Sequence, residues 1–112
     1  MDIYSALAEP TRRTIIEMLA SQGELPASII YDKFNVSSPA ISQHLKILRE
    51  ANLVLMEKKA QQRIYKFNPV ALLEVESWAG TMTQIWSERF DRLDDVIQSE
   101  QKKVLKFKNK KK

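Results

Sequence analysis

Between residues 37 and 49 the chain reads Ser37-Ser38-Pro39-Ala40-Ile41-Ser42-Gln43-His44-Leu45-Lys46-Ile47-Leu48-Arg49, with short hydroxyls, an amide, an imidazole and two cations set among aliphatic side chains. These polar groups suit recognition more than bond-breaking. A glutamine amide offers a donor and an acceptor side by side and can pair in bidentate fashion with an adenine edge, whereas Ser38 and Ser42 can approach bases or phosphates without steric conflict. Lys46 and Arg49 suit phosphates, which fix register and supply affinity instead of sequence choice. Catalysis fits poorly. The single histidine has no evident orienting partner for a serine nucleophile, and with only Gly23 and Gly80 there is no glycine-rich phosphate loop. An enzyme is therefore not expected.

Such groups work only if something holds them. Laid out at about 100° per residue, Ala40, Ile41, His44, Leu45, Ile47, Leu48 and Ala51 share one arc, and Ser38, Ser42, Gln43, Lys46, Arg49 and Glu50 share the other. This predicts a helix opened by Ser37 or Ser38, with Pro39 in its first turn, running to about Ala51. Before it, Pro26 to Phe34 reads as a two-turn helix and Asn35-Val36-Ser37 as a tight turn. After it, Leu53 to Glu57 and Arg63 to Phe67 are β-prone runs around the basic tip Lys58-Lys59-Ala60-Gln61-Gln62, a two-stranded hairpin. Helix, short turn, polar-faced helix and basic hairpin are the parts of a winged helix-turn-helix, whose second helix enters the DNA major groove.

Further elements complete the frame. Asp2 to Leu7 reads as a short helix interrupted at Pro10, and a second helix starts at a Thr11 cap, carries Ile15, Ile16, Leu19 and Ala20 inward, and stops at Gly23. From Val70 to about Gln98 one long helix places Val75, Trp78, Met82, Ile85, Trp86, Phe90, Leu93, Val96 and Ile97 at helical spacing. The fold class is thus mainly α with a two-stranded β-wing (α+β), with residues 1–101 as one domain and 102–112 as a lysine-rich, disordered tail.

Charge is unevenly distributed along the 112 residues. Residues 1–32 carry −3, 33–67 carry +5, 68–101 carry −5 and 102–112 carry +7, for a net +4. The basic island falls on the polar helix and hairpin, as a polyanion-binding face requires. A winged-helix module serving only protein association, the alternative reading, would not need seven basic residues between 33 and 67. The tail either adds nonspecific attraction to DNA or is simply solvated. No cysteine is present, and neither a membrane span nor a secretory signal is evident, so a reducing cytoplasm is the expected compartment.

Three segments, Ala6-Leu7-Ala8-Glu9-Pro10-Thr11-Arg12-Arg13, the run from Ser37 through Leu53-Val54, and the wing ending Arg63-Ile64-Tyr65, together resemble ArsR/SmtB-type bacterial repressors over about residues 3–68. The resemblance implies a dimeric winged-helix repressor that reads a short inverted repeat and releases it on a signal. It adds His44 to the recognition set, giving Ser37, Ser38, Ser42, Gln43, His44, Lys46 and Arg49, and implies wing contacts from Lys58, Lys59, Gln62 and Arg63. Two departures stand out. The family's wing tip usually bears glycine, here replaced by Ala60-Gln61-Gln62. Metal- and arsenic-sensing members use thiolates or histidine–carboxylate clusters, whereas this chain has no cysteine and one histidine, so neither sensor is expected and no cofactor is assigned.

The remaining candidates keep two readings each. His44 either donates to DNA or packs against a backbone carbonyl; Tyr65 braces the wing or touches the DNA backbone; Arg12 and Arg13 contact phosphates or pair with Glu9 or Glu17. Asp91, Asp94 and Asp95 form either a weak site for a hard cation or a solvated face. The aromatic stripe of the last helix exceeds what one small domain can cover. Trp78, Met82, Ile85, Trp86 and Leu93, with Ile3 and Leu7, are accordingly expected to form a two-fold homodimer interface.

Overall fold

The computed structural model describes residues 1–89. The elements run α1 (Ile3–Leu7), α2 (Pro10–Gln22), β1 (Glu24–Pro26), α3 (Ala27–Asp32), α4 (Ser38–Glu50), β2 (Val54–Lys59), β3 (Gln62–Phe67), a single 3-10 turn (Pro69–Ala71) and α5 (Leu72–Arg89). A first compact unit spans Met1–Val75, and α5 continues past its boundary.

The first unit is built around aliphatic side chains from every helix of the expected pattern. Ile15 and Leu19 of α2, Ile30 of α3, Ile41, Leu45 and Leu48 of α4, and Leu53 and Val54 at the start of the hairpin are fully or almost fully buried. The α2 face differs from expectation in one position: Ala20 is exposed, and Arg12 occupies the buried face instead. Ile3, expected at a dimer surface, is a core residue at 7% exposure, and Leu7 packs partly buried against the same core. The large apolar side chains left exposed there are Tyr4 of α1 and, just before the helix, Met1.

Helix ends follow local chemistry. The α2 cap is Glu9 and not Thr11: its carboxylate accepts the Arg12 backbone N–H at 3.0 Å, and Pro10 takes the first helical position, where its missing N–H costs nothing. Gly23 ends α2 at φ +92, with its N–H on the Leu19 carbonyl. The sheet has three antiparallel strands in the order β1-β3-β2, one more than expected. β1 is only Glu24-Leu25-Pro26, and it forms because β3 offers its free edge, pairing Leu25 with Tyr65. Pro26 lies in that strand and precedes α3 instead of opening it.

The long helix expected from Val70 starts at Leu72, after the 3-10 turn. Leu72 and Val75 pack against the first unit's core. Farther along α5, Trp78, Met82, Ile85 and Trp86 are exposed. Within this stretch Thr83 Oγ1 donates to the Ala79 carbonyl at 3.0 Å and Gln84 Nε2 to Glu88 at 3.2 Å. Phe90, Leu93, Val96, Ile97, the three aspartates and the lysine tail lie outside the described residues, as does the expected 101/102 boundary. Among the described residues no helix is long and apolar enough to cross a membrane.

Candidate nucleic-acid interface

The helix-turn-helix consists of α3, the turn through Val36, and α4. Both ends of α4 are closed. Ser37 is the N-cap, its hydroxyl accepting the Ala40 N–H at 3.3 Å, so this candidate first serves the helix itself. At the other end Asn52, at φ +61, donates to the Arg49 carbonyl and Leu53 donates to that of Leu48, both at 2.9 Å. This is a Schellman closure in which Leu48 and Leu53, both buried, supply the accompanying apolar contact. Asn68 Nδ2 then donates to the Asn52 carbonyl at 2.8 Å, tying the end of β3 to the end of α4.

With Ile41, Leu45 and Leu48 inserted in the core, α4 cannot roll. Ser38, Gln43, Lys46 and Arg49 are left exposed and Ser42 half-buried, as the arc predicts. His44 is drawn inward. Its Nδ1 lies 3.2 Å from Arg12 Nη1 and 3.8 Å from Glu9 Oε2, and the side chain is 22% exposed. Its protein partner is thus a guanidinium, not the backbone carbonyl anticipated. Desolvation pushes the Glu9 carboxyl up, but the Arg12 N–H bond, the neighbouring His44 and the bonds from Thr11 outweigh it, so its pKa falls below 4.5.

Among the described residues neither arginine after Pro10 forms the salt bridge to Glu9 or Glu17 that was one of its two expected readings. Arg12 Nε donates to the Ala6 carbonyl at 2.8 Å and Nη2 to Ser5 at 3.3 Å, while Arg13 Nη1 donates to Leu7 at 2.7 Å. Together they satisfy the last carbonyls of α1, where positive charge also suits the helix dipole. Sequence carried no signal for this, because backbone acceptors have no residue signature.

The wing is tighter than expected. Lys58, Lys59 and Gln62 are strand residues, and only Ala60 and Gln61 make the turn, with Ala60 at φ +55. Register divides the candidate contacts between two faces. Lys58 stands directly opposite Arg63, on the face that farther down carries Met56 and buried Tyr65; Lys59 stands opposite Gln62 on the other face. Tyr65 at 4% exposure therefore braces the wing. Lys59 Nζ lies 3.8 Å from Glu24, an exposed pair weak enough to exchange for a phosphate. Like charges directly opposite one another weaken a hairpin, so the Lys58–Arg63 pair does not serve its stability. Beside it, an open groove of about 300 Å³ is lined by Pro26, Ala27, Ser28 and Tyr31 together with Gln61, Gln62 and Arg63. Ser28 and Tyr31 were not expected there, since only the folded sheet brings residues so distant in sequence together.

The chain that builds this helix and wing is similar to known proteins in both sequence and fold. Residues 9–55 match the family described as bacterial regulatory protein, arsR family. The chain is 35% identical over 77 residues to the transcriptional repressor SdpR of Bacillus subtilis, covering 69% of this chain and 84% of that protein. The chain belongs to the arsR family. It is also 34% identical over 97 residues to the HTH-type transcriptional regulator Rv2034 of Mycobacterium tuberculosis, covering 87% of each. Among solved structures, a possible transcriptional regulator for arsenical resistance superposes with a TM-score of 0.66 at 35% identity, covering 83% of this chain and 93% of that one. As an arsR-family protein the chain is a DNA-binding transcriptional regulator of winged helix-turn-helix fold. Among the described residues, no cluster of three or more histidine, cysteine, aspartate or glutamate side chains could hold a metal.

Proposed function

We propose that the chain is a repressor that binds an inverted-repeat operator as a homodimer, with no enzymatic activity. The observation that carries this reading is α4: three core aliphatics fix its roll while Ser38, Gln43, Lys46 and Arg49 stay exposed. Gln43, with Ser38 and Ser42 beside it, reads base edges, and Lys46 and Arg49 bind phosphates. Lys58 and Arg63 on one wing face, and Lys59 and Gln62 on the other, hold the adjacent backbone. The exposed Trp78, Met82, Ile85 and Trp86 favour a partner helix from a second copy, and a two-fold pair would set two recognition helices about one DNA turn apart. Relatives that include a named repressor favour repression. Lacking cysteine, the chain has no thiolate for trivalent arsenic, so its signal is of another kind.

The test is recovery and sequencing of genomic fragments retained by the purified protein, with footprinting of the best fragment. A shared inverted repeat protected on both half-sites supports the reading; retention with no common sequence overturns it. Sedimentation of the free protein tests the dimer independently.

A further inference from the structure

Arg12 is the only buried charged side chain among the described residues. Its guanidinium is a donor-only group with no lone pair to offer. Nε and Nη2 are committed to the Ala6 and Ser5 carbonyls, with the Met1 sulfur 3.8 Å from Nη2. Nη1, in contrast, reaches across to α4 and lies 3.2 Å from His44 Nδ1. Because Arg12 cannot accept, that contact is a hydrogen bond only when Nδ1 offers its lone pair, and a neutral ring then carries its hydrogen on Nε2. Glu9, the other charged group facing the ring, is 3.8 Å from Nδ1, beyond hydrogen-bond distance, and its carboxylate already accepts the Arg12 backbone N–H.

We propose that Arg12 is a positioning residue for DNA binding: by donating to Nδ1 it holds the His44 ring in one orientation and one tautomer, so that Nε2–H serves as a donor to an acceptor on the DNA. The proposal rests on the reading of α4 as the groove-facing helix. It also gives the Glu9-Pro10-Thr11-Arg12 segment a purpose beyond ending α1, since one side chain ties the α1 carbonyls to the recognition helix.

His44 is the chain's only histidine, so a long-range nitrogen–proton correlation spectrum reports its ring directly. In the intact protein the hydrogen is expected on Nε2, with Nδ1 showing the shift of a hydrogen-bond acceptor; in Arg12→Lys that acceptor signature should be lost. Affinity is read on a duplex recovered from the genomic fragments that the intact protein retains. Arg12→Lys should weaken binding about tenfold, the worth of one charge-assisted hydrogen bond, but by less than about twofold when His44 is already alanine. His44→Asn keeps an acceptor near Arg12 and removes the distal donor, so it should melt like the intact protein yet lose about the same tenfold in affinity. A hydrogen on Nδ1 in the intact protein, equal Arg12→Lys losses in both backgrounds, or unchanged affinity in His44→Asn would each overturn the proposal. Failure of the intact protein to retain any DNA is a different result, appearing before any variant is made, and would remove the groove-facing reading itself.

Discussion

α4 and the wing, proposed to address one polyanion, have opposite mechanical constitutions. α4 is anchored by three fully buried side chains and closed at both ends by Ser37 and the Asn52–Leu53 pair. The hairpin beyond Glu57 is exposed on both faces, turns on an alanine in the left-handed region and sets two cations against each other across the ladder. The contrast teaches what each task demands. Reading a base edge needs donors and acceptors held within a fraction of an ångström, which only packing supplies, whereas attracting a phosphate needs charge at roughly the right place and tolerates strain and repulsion.

The comparison breaks most severely on the helix side. Leu45→Ala empties a fully buried site at the middle of α4 and should cost about 2–5 kcal/mol in denaturant unfolding. A loss under about 1 kcal/mol would mean that α4 is not clamped as described. Next in size is Gln43→Ala. This residue is exposed and packs nothing essential, so stability should hold while discrimination at one base step relaxes by about 1–3 kcal/mol, measured by competition between operator variants.

Those two positions were legible in sequence for the same reason: a helix of alternating arcs declares its inside and outside through spacing alone, and Ser37 and Gly23 announced helix ends through residue type. What could not be read was set by pairing across distance. Glu24-Leu25-Pro26 has no strand signature of its own, ending as it does in proline, and becomes β1 only because β3 is present to pair with it. Arg12 looked like a surface charge because its acceptors, the Ser5 and Ala6 carbonyls, are set in place only by the C-terminal end of α1. Ile3 looked spare on a short helix, yet it fills the core. The wing turn contracted to Ala60-Gln61 because Lys58, Lys59 and Gln62 complete ladder pairs that polar composition had suggested were loop.

On the wing side the expected effects are smaller and opposite in pattern. Lys58→Gln removes one of two like charges directly opposed on the ladder. The fold should therefore be unchanged or gain a few tenths of a kcal/mol, about 0.2–1 at most. DNA affinity should nevertheless fall for every sequence alike, and the slope of log K against log salt should shrink by about one unit. If Lys58→Gln instead altered base preference, the division between a reading helix and a holding wing would fail.

The smallest effect tests the strain assigned to the wing turn. Ala60 sits at φ +55, a conformation that costs an L-residue about 1–2 kcal/mol, whereas glycine adopts it freely but loses more chain entropy on folding, about 0.5–1 kcal/mol. The two nearly offset, leaving Ala60→Gly a net gain of roughly 0.5 kcal/mol, which should appear as slower hydrogen exchange at the hairpin amides on either side of the turn. Because no charge changes, the salt slope must stay fixed, and any affinity gain must be uniform over sequences. Faster exchange in Ala60→Gly would mean that the turn is not held in the left-handed region. The wing's tolerance of strain would then have to be argued from the Lys58–Arg63 repulsion alone.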